Sequence, residues 1–262
     1  MWRAGTPDPV QVRRLQSIRE RHAIEPLVIH TNYLINLASG DPEIHARSVS
    51  AFRGELDRAA LIGAQYLVVH PGSYRGTSVD EGIVTFVDGL YQAAAGFRPR
   101  NLTVLLENTA GAGSHLGSRL EELRDIRALA GEVTTLPIGY CLDTCHLFAA
   151  GFDISAPAGL RDTIRAADEL LGLAHVHVIH ANDSKAPLAS HVDRHARIGK
   201  GQIGLEPFRR ILAHPKLRGK AFISETPVEE KDDDRRNLET LKSLAPRRGK
   251  PGVRPAVETG AV

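Results

Sequence analysis

Ile138-Gly-Tyr-Cys-Leu-Asp143 is a short apolar run that stops on an acid, and Thr-Cys-His146 follows it directly. An apolar run of this length, with no polar alternation, reads as a parallel strand buried on both faces. Five further runs of the same design lie outward from it. Pro26-Leu-Val-Ile-His30, Tyr66-Leu-Val-Val-His70 and Thr103-Val-Leu-Leu-Glu107 precede it, and Val176-His-Val-Ile-His180 and Ala221-Phe-Ile-Ser-Glu225 follow it. Helical spacing fills the intervals, as in Ile44 to Ile62, Leu120 to Leu129 and Leu160 to Leu171, and one more helix, roughly Val10 to His22, stands ahead of the first run. Strand–helix alternation implies a parallel sheet. The runs end at 30, 70, 107, 143, 180 and 225, in steps of 40, 37, 36, 37 and 45 residues. A near-constant step is what a (β/α) barrel gives, one unit per step. The expected fold is therefore α/β, of the (β/α)8 TIM-barrel type, with about six strands present and the first two βα units of a full barrel lacking. Residues 1–245 read as one catalytic domain. The Pro-, Gly- and Arg-rich stretch 246–262 reads as a disordered basic tail, and its Arg247-Arg-Gly-Lys segment as solvated.

Composition narrows the function classes. Hydrophobic residues make up 42% and charged residues 24% of the 262, the balance of an ordinary globular chain. A net charge of +2 argues against a general polycationic coat for nucleic acid, so any positive field has to come from bound cations and a few local Arg or Lys. No apolar run reaches bilayer-spanning length, and MWRAGTPDPV contains no apolar leader region, so no membrane association is expected and the cytoplasm is the expected location. Cys141 and Cys145, the two cysteines, lie four apart in one apolar run. They are expected on one side of a strand as buried, reduced thiols rather than as a bridge or a zinc pair.

Each of the six runs ends in His, Asp or Glu. In a barrel those positions form the C-terminal mouth, where active sites are built. One reading is a single divalent cation held by Glu107, Asp143, His180 and Glu225, as suits Mn2+ or Mg2+ in a sugar isomerase or epimerase. The sequence offers more donors than that. His30 and His70 end two further runs, His146 follows Asp143 by three residues, and Asp193-Arg-His195 places an acid and an imidazole two apart, on one side of an extended segment. Nine candidates, five of them His, exceed one ion's needs and suit three ions with one shared carboxylate, and imidazole-rich ligation favours zinc. Such a cluster fits metal-assisted phosphodiester hydrolysis, in which cations hold the phosphate and lower the pKa of water. Taken alone, Asp193 reads as a helix cap or turn acid, and Asp193 and His195 together read as packing residues without a metal role. His175 and His177 read as core histidines, and His22, His45, His115, His191 and His214 as surface ones.

At these residues the chain resembles the endonuclease IV family of apurinic/apyrimidinic endonucleases, within the xylose-isomerase-like TIM-barrel superfamily. The stretches that carry the resemblance are His30-Thr-Asn-Tyr-Leu-Ile-Asn-Leu37, Val68-Val-His-Pro-Gly72, Glu107-Asn-Thr-Ala-Gly111 and Leu142-Asp-Thr-Cys-His-Leu-Phe-Ala-Ala-Gly-Phe-Asp153. They continue with His180-Ala-Asn-Asp-Ser-Lys185, Asp193-Arg-His195, Ile198-Gly-Lys-Gly-Gln-Ile-Gly204 and Glu225-Thr-Pro227. The resemblance implies three Zn2+ per chain, with Mn2+ left open at some sites. His30, His70 and Glu107 would hold the first ion. Glu107, as the bridge, would hold the second with Asp143, His180 and Glu225. His146, Asp193 and His195 would hold the third. Glu107 and Glu225 would carry the catalytic roles.

The resemblance further implies cleavage of DNA 5′ to abasic sites and trimming of blocked 3′ ends, in base excision repair. The implied partner is double-stranded DNA containing an abasic nucleotide that is flipped out of the stack. Tyr33 and Leu34 would wedge into the duplex, against an alternative of core packing beside the first strand. Arg194 would contact phosphate, and Lys185 would either do the same or be a surface residue. We expect a monomer. The lack of two N-terminal strands leaves one further alternative, an inactive truncated remnant that misfolds or only binds DNA.

Overall fold

The computed structural model describes residues 5–98 and 101–246. The tail read at 246–262 therefore lies, from residue 247 onward, outside the described residues. In chain order the elements are α1 (Pro9–His22), β1 (Val28–His30), α2 (Pro42–Ile62), β2 (Tyr66–Val69), α3 (Val79–Ala94), β3 (Thr103–Glu107), α4 (Leu120–Val133), β4 (Ile138–Asp143), α5 (Thr144–Ala149), α6 (Pro157–Leu171), β5 (Val176–His180), β6 (Asp183–Ser184), β7 (His195–Ala196), α7 (Leu205–Ala213), β8 (Ala221–Ile223) and α8 (Asp233–Leu244). Helix limits follow local chemistry. Asp41 caps α2 by accepting from the Glu43 and Ile44 amides, Pro42 opens the helix, and Gly63 closes it in a left-handed conformation. At α3 Ser78 and Glu81 exchange bonds as a capping box.

Six strands form one all-parallel sheet in the order β1-β2-β3-β4-β5-β8, while β6 and β7 pair as a separate antiparallel ladder. This is the curled, open part of a (β/α) barrel with six strands, as the spacing predicts. β1 and β8 are its two edges. The sheet buries both faces. Leu67, Val69, Val104, Leu106, Leu142 and Ile179 face outward and join the main core with helix residues such as Phe52, Leu56, Phe86, Leu90 and Ile126. The concave face carries a smaller apolar layer: Val68, Leu105, Cys141 and Val178, with Val28, Tyr66, Ala221 and Ile223 packed against it. A fully buried leucine in either layer contributes roughly 1.5–3 kcal/mol.

Two expectations need correction. Cys145 is not on a strand. The Asp143 carboxylate accepts the His146 amide at 2.8 Å and so caps α5, turning the chain from strand to helix immediately after β4. Cys141 therefore points into the concave layer while Cys145 is buried on α5, and both are free thiols. His175 and His177 are not core residues. His175 is exposed in the turn before β5. A register shift between Tyr140 and Cys141 passes over His177, which is half-buried and stacked on the Tyr66 ring at 5.1 Å. Among the residues read as surface ones, His45 is half-buried, its Nε2 lying 3.2 Å from the Thr85 carbonyl.

Candidate metal centre

Side chains alternate along a strand, so residues two apart share a face. Val28, Val68, Leu105, Cys141, Val178 and Ile223 all belong to the concave layer. The residue two positions later is His30, His70, Glu107, Asp143, His180 and Glu225 in turn. One apolar ring thus lies beneath one ring of candidate donors at the C-terminal mouth. His70 and Glu225 stand just beyond the regular ends of β2 and β8.

Glu107 is the hub. Its carboxylate is wholly buried, with Oε2 at 2.8 Å from His30 Nε2 and 3.0 Å from His70 Nε2, and Oε1 at 2.8 Å from His180 Nδ1. His180 Nδ1 also lies 3.0 Å from Glu225 Oε2. On the other flank Asp193 spans His146 and His195, at 3.2 Å from Nε2 of the first and 3.3 Å from Nε2 of the second. Asp193 and His195 reach the mouth on the β6–β7 ladder, where Ser184 pairs with His195.

The donor atoms fall into groups close enough to share an ion: His30, His70 and Glu107; Glu107, Asp143, His180 and Glu225; and Asp143, His146 and His195, each with its atoms within 4.8 Å of one another. The first two coincide with the sets expected above. In the third, the structure adds Asp143, and Asp193 joins through its two imidazole contacts. Cys145 also groups with Asp193 and His195, and Cys141 with Glu107 and His180.

The imidazoles are oriented from behind. His30 Nδ1 donates to the Thr31 carbonyl at 2.8 Å, His146 Nδ1 to that of Asn108 at 2.9 Å and His195 Nδ1 to that of Glu225 at 3.1 Å. Each bond turns the ring so that Nε2, the atom whose lone pair would ligate, faces the cluster, the arrangement usual behind metal-binding histidines. Nε2 of His146 and of His195 are buried and make no hydrogen bond of regular geometry, although the Asp193 oxygens lie only 3.2 and 3.3 Å away, too far off line to serve as acceptors. Buried nitrogens left with so poor a bond are only partly satisfied, and a cation shared with Asp193 is what would satisfy them. The residues present therefore fit a metal-binding role.

Electrostatics agree. Burial alone would raise the Glu107 carboxyl, but the His180 and His70 rings and the hydrogen bonds from His180 and His30 overcome it and hold it well below the usual range. Burial opposes charge on His146. Asp143, Asp193 and Glu107 outweigh that and lift it to about 10. Asp193, which burial would raise, is lowered to about 2 by His146, His195 and His70. Protons thus occupy the places where cations would compensate the same acids.

Tyr33 lies in the turn after β1 with 88% of its surface exposed, which removes the core-packing alternative for that residue, while Leu34 is half-buried. Arg194 is exposed, its guanidinium donating to the Asp193 carbonyl at 2.8 Å, and Lys185 is exposed beside it on the ladder. Three supports escaped sequence reading: Asn108, Asn182 and Asp183, all buried and all within three residues of a candidate donor. Their position immediately after Glu107 or close behind His180 was the available signal, since a polar residue just past a buried strand end needs a partner.

Residues 2–247 match the family model described as the xylose isomerase-like TIM barrel. The chain is 68% identical over 245 residues to a probable endonuclease 4 of Solibacter usitatus, spanning 94% of this chain and 84% of that one. It is 40% identical to an endonuclease 4 of Thermus thermophilus, over 92% and 83% of the two chains. A crystal structure of endonuclease IV from another strain of Thermus thermophilus superposes with a TM-score of 0.80 at 36% identity, covering 93% of this chain and 84% of that chain. A D-tagatose 3-epimerase-like protein shares only the fold, at 21% identity and a TM-score of 0.64. With this identity sustained over most of both chains, the protein belongs to the endonuclease IV family of xylose isomerase-like TIM barrels.

Proposed function

We propose that this protein is a zinc-dependent endonuclease that hydrolyses the DNA phosphodiester 5′ to an abasic site and trims blocked 3′ ends, acting as a monomer in base excision repair. The observation that carries the reading is the convergence of nine His, Asp and Glu donors at one mouth, with the buried Nε2 atoms of His146 and His195 facing the one Asp193 carboxylate at 3.2 and 3.3 Å without a well-formed hydrogen bond. His30, His70 and Glu107 would hold one ion, Glu107, Asp143, His180 and Glu225 a second, and His146, Asp193 and His195 a third. Cations there would supply charge for the phosphate and acidify water. Five imidazoles favour zinc, and carboxylate-rich positions would also accept Mn2+.

The chain's own residues set the geometry. Glu107 uses both oxygens to tie the first two groups together, Glu225 joins it in the second beside His180 at 3.0 Å, and these two carboxylates would carry the catalytic roles. The backbone bonds behind His30, His146 and His195 keep three imidazoles from rotating as substrate enters. Tyr33, held out from the mouth, suits a wedge beside an extruded nucleotide, with Leu34 behind it and Arg194 on the phosphate side. Extrusion is easiest where pairing and stacking are already lost, which supplies selectivity for abasic sites. The tetrad Glu107, Asp143, His180 and Glu225 would by itself suit a one-metal sugar epimerase, but the five remaining donors have no task in that reaction.

Incubation with a duplex carrying one abasic analogue, with and without chelator, tests the reading. Chelator-sensitive incision on the 5′ side, with about three zinc per chain, is the expected result. A single ion per chain, or incision indifferent to chelator, would overturn it.

A further inference from the structure

Asn182 lies between the candidate donors and takes no part in any of their groups. It is fully buried, and each end of its amide meets a donor from a different strand. Nδ2 donates to Asp143 Oδ2 at 2.6 Å and lies 3.5 Å from Glu225 Oε2, while Oδ1 accepts the Glu225 backbone amide at 2.7 Å. Its own backbone is locked to α5. The Asn182 amide donates to Thr144 Oγ1 at 2.9 Å, and the Thr144 hydroxyl donates to the Asn182 carbonyl at 2.7 Å. The side chain thus has no spare rotation, and it ties the end of β4 to the segment just past β8.

The other Asp143 oxygen, Oδ1, is engaged by the His146 amide. With one donor on each oxygen, the plane of the Asp143 carboxylate is set, and so are the lone pairs left for an ion. A side chain unable to donate there would free that plane to rotate. We propose that Asn182 is the positioning residue of the second group: it aims the Asp143 carboxylate and sets the separation of Asp143 and Glu225, and so sets the affinity of that group for its ion. The inference rests on the multi-metal reading above. Partners of this kind typically contribute about ten- to hundred-fold in metal affinity.

Two variants test it. Asn182→Asp keeps an acceptor for the Glu225 amide but sets an oxygen against Asp143 Oδ2, and Asn182→Ala removes both bonds. Metal-free protein is titrated with zinc against a chromogenic chelator, with circular dichroism to select folded variants. The expected result is that the parent binds about three ions, whereas either folded variant binds the second-group ion about ten-fold or more weakly, the third-group ion that shares Asp143 more weakly by a smaller factor, and the His30–His70–Glu107 ion unchanged. The variant's kcat should fall at limiting zinc and recover at excess zinc, with KM for abasic duplex within about two-fold of the parent. A purely structural role would instead lower the melting temperature of the metal-free protein and leave all affinities alone. That outcome, or parental affinity at every site, overturns the inference. A parent that binds one ion and does not cut would sink the proposed function instead, so the two failures are distinguishable.

Discussion

His195 Nδ1 bonds to the Glu225 backbone carbonyl at 3.1 Å, joining two donor residues thirty positions apart through main chain rather than through their side chains. The Glu225 carboxylate is thereby left for His180, and His195 Nε2 is aimed at Asp193, 3.3 Å away, and at Asp143, 3.7 Å away. Removing the ring at His195 empties one flank without touching Glu107. His195→Ala is expected to lower bound zinc by one ion per chain and to reduce abasic-site incision by at least about a hundred-fold, on the scale of losing a supported metal. Elemental analysis beside a gel-based incision assay checks both. Loss of all the zinc would show that the flanks are not independent.

The pH response should depend on metal. His146 is lifted from 6.5 to about 10, so without metal its contribution to stability is complete below 6.5 and is lost as pH rises through about 10. Asp193 is lowered from 3.8 to about 2, so its contribution is present above 3.8 and is lost as pH falls through about 2. Chelator-treated protein should therefore melt at a lower temperature near pH 8.5 than near pH 6. Zinc has to displace the His146 proton, so zinc affinity should rise over that same interval, with protons released on binding. Thermal melts at the two pH values, and calorimetry in two buffers of different ionisation enthalpy, decide it. A metal-free melting temperature that climbs from pH 6 to pH 8.5 would contradict the assignment.

The donor ring was readable because it follows from two regularities, strand alternation and a repeat of nearly constant length. Each donor sits two residues past a concave-layer residue, as Asp143 does past Cys141, so six of them were legible as strand ends. The β6–β7 ladder was not legible. Its strands are two residues each, too short for any periodic signal, so Asp193 and His195 rested on their two-residue spacing and on the family resemblance. Cys145 was misplaced because the run 138–149 is apolar nearly throughout, and only the Asp143 cap marks where strand becomes helix. Asn182 is marked only by its place two residues past His180; its role depends on a contact made 39 residues away in sequence.

Tyr33 is exposed enough that its removal should leave the fold intact, with Tyr33→Ala changing stability by no more than about 0.5 kcal/mol. If the ring wedges beside the extruded nucleotide, the loss should appear on DNA. Stacking of an aromatic on a base is worth roughly 1–3 kcal/mol, which corresponds to a five- to hundred-fold rise in the dissociation constant for abasic duplex. Fluorescence anisotropy with chelated protein measures binding without turnover. Unchanged affinity would remove Tyr33 from the interface.

Asp183 should govern the third group from a distance. Its buried carboxylate accepts the amides of Ser184, Gly199, Gly201 and Ile203 at 2.8, 2.9, 3.0 and 2.9 Å, and so pins the loop that follows His195 against β6. Ile198 is fixed separately, its amide donating to Asn237 on α8 at 3.0 Å. Asp183→Asn turns a donor amide toward those N–H groups. A buried amide left without an acceptor costs about 1–3 kcal/mol, so the loop should open while the sheet remains folded. The expected outcome is faster amide exchange across 195–204, weaker binding of one zinc and slower incision, with the other zinc sites unaffected. Gly201→Ala reaches the same loop by another route, because a methyl there would lie 2.3 Å from the Ser184 carbonyl and 2.5 Å from the Asp183 carboxylate. If the two variants loosen the loop by exchange yet keep full third-site affinity, then His146 and Asp143 suffice to hold that ion, and the ladder serves substrate rather than metal.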